Sequence, residues 1–380
     1  MLRRASLPHR KTTRRSFVAA ALLLAFAAPA APAVAADSPG RSAVESPAPT
    51  TRQPLGTKTL HLVDTSRPDP WKPSAGHREL MVSLWYPALP SRSDRAPYMS
   101  AALSKAMLGS EVLSGVRTHA VAGARPAPVA RPLVVLSPGF QMSRLTLTAL
   151  GEDLASRGYA VAALDHTYEA PVEFPGGRVE PCLICEKPDL NAVVRNRAQD
   201  IRFLLDRLTG PGGELRVDRH RIAVVGHSIG GASAVETMRE DPRVGAAVNL
   251  DGDFFLDPPA KGLNRPVLLL GAQRGRDTED SRGDWERNWP HLTGWKRWLD
   301  VPDGGHMTFT DVPWIVDRFG RPAQIPPEQV PGQFGTLGGA RATALTRAYV
   351  AAFLDRQLRG RPSPLLDRPS TAYPEVTILK

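Results

Sequence analysis

Residues 221–235 read RIAVVGHSIGGASAV and combine an apolar run, a serine between glycines and a segment of small residues. The apolar run has the length and composition of a strand buried on both faces of a parallel sheet. The segment after it, with Gly231, Ala232 and Ala234, favours a helix that packs closely on that sheet. The stretch therefore predicts a buried strand, a sharp turn at Ser228 and a helix.

The same alternation of apolar runs and helical segments extends in both directions along the chain. Helical segments of amphipathic character separate the runs, and a long one follows the last of them. The runs are PLVVLSPGF (132–140), YAVAALDHT (159–167), GAAVNLDGD (245–253), RPVLLLGAQ (265–273) and KRWLDV (296–301), and the last helical segment is ARATALTRAYVAAFLDRQL (340–358). This order predicts an α/β fold with a mostly parallel, doubly wound sheet and helices on both faces.

After residues 1–36, which are described below, the composition divides the chain into three segments. We predict one catalytic domain over residues 57–361, which opens with two strands near residues 58–64 and 79–88. Residues 37–56 are rich in Pro, Ser and Thr and are expected to form a flexible linker. Residues 362–380 form a C-terminal tail without a functional signal.

Residues 12–36, TTRRSFVAAALLLAFAAPAAPAVAA, have the features of an export signal. Arg14 and Arg15 precede an alanine-rich apolar run, and small residues of the A-x-A kind follow. The run is interrupted by prolines and is shorter than the roughly 20 residues that a membrane-spanning helix needs. We therefore predict that residues 1–36 are a twin-arginine signal peptide and that the protein is secreted.

The formal net charge of the 380 residues is +10, and most of it comes from the N-terminus. Residues 1–36 contain six basic residues and no acid, which leaves 42 basic against 38 acidic residues in the rest. No block of like charge remains there to indicate binding to nucleic acid. We expect no nucleic-acid partner, no cofactor and no metal.

Cys182 and Cys185 lie in EPCLICEKP (180–188) and are the only cysteines of the chain. A zinc site would need a second ligand pair, and a redox motif would need a helix start after the first cysteine. Because neither is present, we predict a disulfide within this loop, as an oxidising exterior would favour.

The segment Gly226-His227-Ser228-Ile229-Gly230 matches G-x-S-x-G between a strand and a helix. In this context the motif is a nucleophile elbow, in which a strained turn exposes the serine hydroxyl and the two glycines let the backbones pass closely. The start of the following helix also directs N–H groups and its positive dipole end to the same point. Ser228 is therefore the predicted nucleophile.

A serine hydroxyl attacks efficiently only when a base takes its proton. Two histidines follow Ser228 in the chain, as the order nucleophile, acid, histidine of this fold class requires. His306 follows the last predicted strand across a Gly-Gly loop, whereas His291 lies in a Trp-rich segment before that strand. We predict that His306 is the base, and that His227 is held away from Ser228 by the turn.

The acid that orients the histidine has more than one candidate. Asp251 directly follows an apolar strand, Asp253 lies two residues later, and Asp277 and Asp280 lie after the next strand, which is the commoner position in this fold class. The residues alone favour Asp251, because its strand leads directly to the sheet edge and residues 277–284 have the charge of a solvated loop. They do not exclude the later position.

Attack on a carbonyl also needs N–H donors for the developing oxyanion. One donor is expected from the backbone of Ile229, the residue after the nucleophile. The other is expected from Phe140, in the loop after the strand PLVVLS, where Gly139 allows a tight turn.

Several of these segments resemble the plasma-type platelet-activating factor acetylhydrolases and their bacterial relatives, which have the α/β-hydrolase fold. The resemblance spans about residues 58–360. The matching segments are PLVVLSPGF, LASRGYAVAALDH, RNRAQDIRFLLDRL, IAVVGHSIGGASAVETM, NLDGD and GGHMTFTD. It implies Ser228, Asp251 and His306 as the triad, because the family's acid follows the same strand as Asp251. Many relatives have His-Gly where this chain has Pro138-Gly139.

The resemblance also implies a function and leaves alternatives. Family members release short or oxidised acyl groups from phospholipids, so we expect a secreted serine esterase whose partner is a small ester or phospholipid, with transient contact to a lipid surface. The alternative is a general lipase or cutinase-like polyester hydrolase with an apolar cleft, whose candidate lining residues are Trp85, Phe140, Met142 and Met307. A binding protein that has lost catalysis is a third possibility, but the chain retains every member of the triad.

Overall fold

The computed structural model describes residues 44–257, 261–272, 279–321 and 325–380, with only the backbone described for residues 279–282. The strands of this part are β1 Val44–Glu45, β2 Leu55–Pro68, β3 His77–Pro87, β4 Arg95–Pro97, β5 Val116–Ala122, β6 Arg131–Ser137, β7 Ala160–Asp165, β8 Val172–Glu173, β9 Val179–Glu180, β10 Val217–His227, β11 Val244–Leu250, β12 Val267–Ala272, β13 Lys296–Val301 and β14 Thr377–Ile378. The α-helices are α1 Ala101–Leu108, α2 Thr148–Ser156, α3 Leu190–Thr209, α4 Ile229–Glu240, α5 Glu279–Asn288, α6 Val312–Phe319, α7 Val330–Phe334 and α8 Gly339–Arg359.

One large mixed sheet organises these elements. Its order is β1-β5-β2-β3-β7-β6-β10-β11-β12-β13-β14, and β4 pairs with β5 at one edge. Strands β7, β6, β10, β11, β12 and β13 are mutually parallel, whereas β3 runs antiparallel to both β2 and β7. The sequence prediction of a mostly parallel α/β sheet is confirmed.

Both faces of the sheet are buried at its central strands, which explains the unbroken apolar runs of those strands. Val225 of β10 faces a core cluster that includes Leu150 of α2 and Tyr349 of α8. Its neighbour Val224 faces the opposite cluster, with Leu204 of α3. Successive side chains of a strand point to opposite faces, so a strand with helices on both sides has no polar face.

The chain before β2 is packed against the body of the protein. Strand β1 pairs with β5, and the Arg347 guanidinium donates to the carbonyls of Pro47 and Ala48, at 2.9 and 2.7 Å. Thr50 donates its N–H and its hydroxyl to Asp153 Oδ1, at 2.8 and 2.7 Å. The prediction of a flexible linker over residues 37–56 is therefore wrong for residues 44–56. The partners lie about 70 to 300 residues away in the chain, so composition alone could not indicate them.

The C-terminal tail is also part of the fold. Leu366 and Val376 are buried, and β14 pairs antiparallel with β13. The sequence predicted β13 to be the last strand, but β14 follows it. Helix α1 ends at Leu108 because Gly109 adopts a left-handed conformation with φ of 70°.

The predicted disulfide between Cys182 and Cys185 is confirmed, in the loop between β9 and α3. The predicted signal peptide at residues 1–36 lies outside the described residues. Within the described ranges, no helix combines the length and the apolar character that crossing a bilayer requires.

Candidate active site

Ser228 occupies a strained turn between β10 and α4. Its φ of 56° and ψ of −130° are uncommon for a residue with a side chain, and such strain costs about 1–3 kcal/mol. A Cβ at Gly226 would lie 2.0 Å from the Gly230 carbonyl oxygen, and one at Gly230 would lie 2.2 Å from that of Ser137. These two positions therefore admit only glycine, as the motif predicts.

A third glycine supports the turn from the neighbouring strand. A Cβ at Gly252 would lie 1.9 Å from the Ser228 carbonyl oxygen. Gly252 lies outside the G-x-S-x-G motif and was not among the predicted site residues. Its position directly after Asp251, where the chain must pass beside the elbow, is the signal that could have indicated it.

The side chains of Ser228, His306 and Asp251 form one hydrogen-bonded chain. His306 Nε2 lies 3.0 Å from Ser228 Oγ, and His306 Nδ1 lies 2.7 Å from Asp251 Oδ2. The arrangement fits the tautomer in which Nδ1–H donates to Asp251 and Nε2 accepts the serine proton. The structure thus brings His306 to Ser228, and not the alternative His291.

Asp251 is fixed where β11 ends. It adopts a positive φ of 57°, its N–H donates to the Leu270 carbonyl at 3.0 Å, and its Oδ1 accepts from the Ala272 N–H at 2.9 Å. The buried carboxylate is therefore oriented toward the imidazole by strand β12. Of the alternative acids, Asp277 lies outside the described residues and Asp280 is described only in its backbone.

His227 holds the backbone of His306. Its Nε2–H donates to the His306 carbonyl at 2.7 Å, while its buried Nδ1 has no partner among the described residues. Burial, together with the nearby charge of His306, lowers the pKa of His227 to about 3, so the ring is neutral at ordinary pH. His227 was predicted to be held away from Ser228, but no sequence pattern indicates its contact with the His306 carbonyl.

The two expected oxyanion donors lie on neighbouring segments. Ile229 is the first residue of α4, where N–H groups have no intrahelical acceptor. Phe140 lies in the loop after β6, and its side chain packs against the cluster that contains Ile229. Within the described part of the chain, neither N–H is paired with an acceptor. Both are therefore available for a ligand oxygen.

A hydrophobic cluster that includes Ile229 lies next to the nucleophile, with a buried centre and a partly buried rim. We call this cluster the apolar wall. Its residues are Val193, Val194, Ile229 and Ala232, against which Trp71, Phe140, Ile184, Leu190, Phe255 and Leu256 pack in partly buried positions. Of the cleft residues suggested from the sequence, only Phe140 belongs to it. Trp85 is instead buried in the core beside α2.

In the part of the chain that the structure describes, no group of three or more His, Cys, Asp and Glu side chains could hold a metal ion. The triad side chains instead lie at the carboxyl ends of the parallel strands β10, β11 and β13, where ligands bind in open α/β sheets. This combination of sheet, elbow and triad defines the α/β-hydrolase class.

Comparison with known proteins narrows the class. A family model described as PET hydrolase-like matches residues 126–276. A probable 1-alkyl-2-acetylglycerophosphocholine esterase from Arthroderma benhamiae is 32% identical over 65% of this chain and 66% of that protein. The platelet-activating factor acetylhydrolase of Bos taurus is 28% identical over 38% of this chain, which spans 40% of that protein.

A solved structure is similar over most of the chain. The ferulic acid esterase from Streptomyces cinnamoneus superposes with a TM-score of 0.87 and 75% identity, covering 89% of this chain and all of that one. The chain belongs to the α/β-hydrolase family of esterases related to platelet-activating factor acetylhydrolases and PET hydrolases. Its class is that of carboxylic ester hydrolases, and the resemblance found in the sequence is confirmed.

Proposed function

We propose that this protein hydrolyses small carboxylic esters through an acyl-enzyme on Ser228. The observation that carries the proposal is the hydrogen-bonded chain from Ser228 Oγ through His306 to Asp251, at 3.0 and 2.7 Å. Nucleophile, base and orienting acid are within reach of one another without rearrangement.

In the acylation step, Ser228 Oγ attacks the ester carbonyl carbon while its proton passes to His306 Nε2. The Asp251 carboxylate stabilises the imidazolium, and the N–H groups of Phe140 and Ile229 donate to the carbonyl oxygen as it becomes negative. When the tetrahedral intermediate collapses, the carbon–oxygen bond to the alcohol breaks. His306 returns its proton to the leaving alkoxide.

Deacylation repeats these steps with water as the nucleophile. His306 Nε2 takes a proton from water, the resulting hydroxide attacks the acyl carbon, and the bond to Ser228 Oγ breaks. Ser228 recovers its proton from His306, and the carboxylic acid leaves. Because Asp251 is buried and its Oδ1 is held by the Ala272 N–H, it keeps the imidazole oriented through both steps.

We propose esters of aromatic acids as the preferred substrates. The apolar wall next to Ser228 includes the partly buried rings of Trp71, Phe140 and Phe255, and flat aromatic surfaces favour stacking with an aromatic acyl group. The 75% identical relative is described as a ferulic acid esterase, which agrees in substrate class.

A second candidate substrate is a short-acyl phospholipid, as the sequence resemblance implies. The fungal relative that is 32% identical bears the name of such an esterase. Leu183, in the disulfide loop beside the wall residue Ile184, is 46% exposed and could contact a lipid surface transiently.

The experiment compares methyl ferulate, a 1-alkyl-2-acetyl phospholipid and tributyrin as substrates of the wild-type protein and of Ser228→Ala. We expect the highest kcat/KM with methyl ferulate and loss of activity on all three substrates in the variant. Activity that survives in Ser228→Ala contradicts the proposed function. A higher kcat/KM on the phospholipid or on tributyrin contradicts the substrate class alone.

Two neighbouring variants of the disulfide loop test the wall. Ile184→Ala removes apolar contact, so it should raise KM for methyl ferulate about fourfold, which corresponds to the loss of one buried methylene at roughly 0.8 kcal/mol. The matched control Leu183→Ala should leave that KM unchanged. A fall of activity on phospholipid vesicles in Leu183→Ala, with ferulate hydrolysis intact, would support the lipid contact instead.

We also propose export by the twin-arginine route, on the basis of residues 12–36. Replacing Arg14 and Arg15 by lysine should retain the protein inside a bacterial host that otherwise releases it. N-terminal sequencing of the released protein should begin after the small residues near Ala36. Release that does not depend on the two arginines contradicts the route.

A further inference from the structure

The loop that carries Phe140 is held from below by a buried arginine of α3. Arg197 is 1% exposed, and its guanidinium donates to the carbonyls of Pro138 and Gly139, at 2.5 and 3.3 Å. Its third nitrogen, Nε, donates to the buried carboxylate of Glu169 at 2.6 Å. A guanidinium presents its donors in a rigid plane, so these contacts fix the two carbonyls relative to each other.

Glu169 holds the same loop on the other side of Phe140. Its carbonyl oxygen accepts from the N–H of Gln141 at 3.0 Å, and Gln141 has a positive φ of 64°. Its carboxylate also accepts from Trp71 Nε1 at 3.2 Å, in addition to Arg197. Both neighbours of Phe140 are therefore anchored, Gly139 by Arg197 and Gln141 by Glu169. Arg197 and Glu169 form one buried ion pair.

Because a peptide group is planar, a hydrogen bond to the Gly139 carbonyl also sets the direction of the Phe140 N–H. The Gly139 carbonyl and the Phe140 N–H belong to one planar trans peptide unit, in which the C=O and N–H bonds point in opposite directions. The oxygen is held by Arg197 and by the Met142 N–H, each at 3.3 Å, and this fixes the direction of the N–H, which points away from the guanidinium. We propose that Arg197, held by Glu169, is the positioning residue that orients the Phe140 N–H of the oxyanion hole. This inference rests on the proposed function.

A second hydrogen-bonded chain of serine, histidine and aspartate fixes the start of the loop. Ser137 Oγ lies 2.9 Å from His166 Nε2, and His166 Nδ1 lies 2.8 Å from Asp200 Oδ2. Although burial opposes ionisation, the charge of Arg78 holds the pKa of Asp200 well below its ordinary value. All three residues are buried, so Ser137 cannot meet a substrate. This chain anchors β6 where the loop begins.

The test compares Arg197→Lys with Arg347→Lys. Arg347 is also a buried arginine that donates to backbone carbonyls, but those of Pro47, Ala48 and Ala149, away from the oxyanion loop. Lysine keeps the charge beside Glu169 and cannot reach both loop carbonyls. The measurements are Tm, and kcat and KM for p-nitrophenyl butyrate.

We expect kcat of Arg197→Lys to fall about 10- to 100-fold with KM within about threefold, since loss of a whole oxyanion donor costs about 100- to 1,000-fold. The Ki of a trifluoromethyl ketone, whose hemiketal oxyanion occupies the same hole, should rise by the same factor as kcat/KM falls. Arg347→Lys should lower Tm and leave both kcat/KM and the Ki unchanged. A purely structural role of Arg197 would not make the Ki rise by the factor by which kcat/KM falls.

A second variant covers a failure of the first to fold. The double variant Arg197→Met with Glu169→Gln removes both buried charges, so it leaves no unpaired ion, and it should show the same loss of kcat. The inference is overturned if a folded variant keeps wild-type kcat, if the loss lies in KM alone, if Arg347→Lys loses as much, or if neither variant folds. A wild-type protein that does not hydrolyse the ester overturns the proposed function itself.

Discussion

At the scale of single residues, the proposed chemistry depends on Asp251 keeping His306 in one tautomer. In Asp251→Asn the amide cannot stabilise the imidazolium, so kcat should fall by about 10³- to 10⁴-fold with little change in KM. Steady-state kinetics with p-nitrophenyl butyrate measure this. Asp253→Asn, two residues away, is the control and should retain kcat within about tenfold. A larger loss in the control would assign the acid to Asp253.

The sequence could indicate the reacting side chains but not those that hold them. Ser228 lies in a motif, and His306 and Asp251 follow strands in the required order. His227, by contrast, supports the His306 carbonyl, and Gly252 makes room for the Ser228 carbonyl. Both contacts arise from segments that meet only when the sheet forms, so no local pattern encodes them.

At the scale of elements, the elbow requires close contact between β10 and α4. Gly226→Ala would place a Cβ 2.0 Å from the Gly230 carbonyl oxygen, which only a backbone shift could relieve. We expect a loss of at least about 3 kcal/mol in the free energy of unfolding, measured by urea denaturation. Gly245→Ala, whose nearest atom would lie 3.5 Å away, should change it by no more than about 0.5 kcal/mol. Equal losses in the two variants would contradict the close approach.

Asp311 joins three elements and makes their packing dependent on pH. Its carboxylate precedes α6, accepts from the Ala149 N–H of α2 at 3.2 Å, and accepts from the Tyr98 hydroxyl before α1 at 2.9 Å. Burial raises the pKa of Asp311 to about 7 from an ordinary value of 3.8. Between about pH 4 and pH 7 the folded chain thus holds a proton that the unfolded chain has lost. This contribution to stability is present below pH 4 and is lost as the pH rises through 7.

Asp311→Asn, which is neutral at every pH, should remove that dependence. Relative to the wild type, the variant should gain on the order of 2 kcal/mol in the free energy of unfolding between pH 5 and pH 8. Urea denaturation at both values measures the difference. Asp94→Asn, at an exposed position directly before β4, is the control. An identical gain in the control, or no gain in Asp311→Asn, would contradict the assignment.

Helix α3 shows what the sequence pattern contained beyond its apolar positions. Val193, Arg197, Ile201 and Leu204 recur at the spacing of one helix face, and Asp200 lies beside them, all of them buried. A charged residue at core spacing needs a buried partner, so Arg197 and Asp200 could have been flagged. Their partners, Glu169 and His166, could not, because they belong to a loop from another part of the chain.

At the scale of the whole molecule, residues 44–54 stabilise the body by satisfying buried groups. Without them, the buried Arg347 guanidinium loses its Pro47 and Ala48 acceptors. A chain that begins at residue 55 should melt roughly 5 °C below one that begins at residue 44, equivalent to about 2 kcal/mol. Thermal unfolding of the two chains gives the comparison, and activity per folded molecule is the control. Equal Tm values would show that this segment contributes nothing to stability.

The fold as a whole was more predictable than its edges. Central strands such as β10 are buried on both faces, so their unbroken apolar runs identify them in the sequence. Edge elements such as β1, β5 and β14 are short or lack such runs, and only their pairing partners define them. The same reasoning explains why residues 44–56 were mistaken for a linker.

The most direct test of the central claim, that Ser228 is the nucleophile of an ester hydrolase, is the site of covalent labelling by a fluorophosphonate. Intact-protein mass and peptide mapping should show one adduct per chain, on Ser228, formed in step with the loss of esterase activity. Ser228→Ala should acquire no adduct. An adduct on another residue that accompanies inactivation, or full activity in protein labelled at Ser228, would contradict the claim.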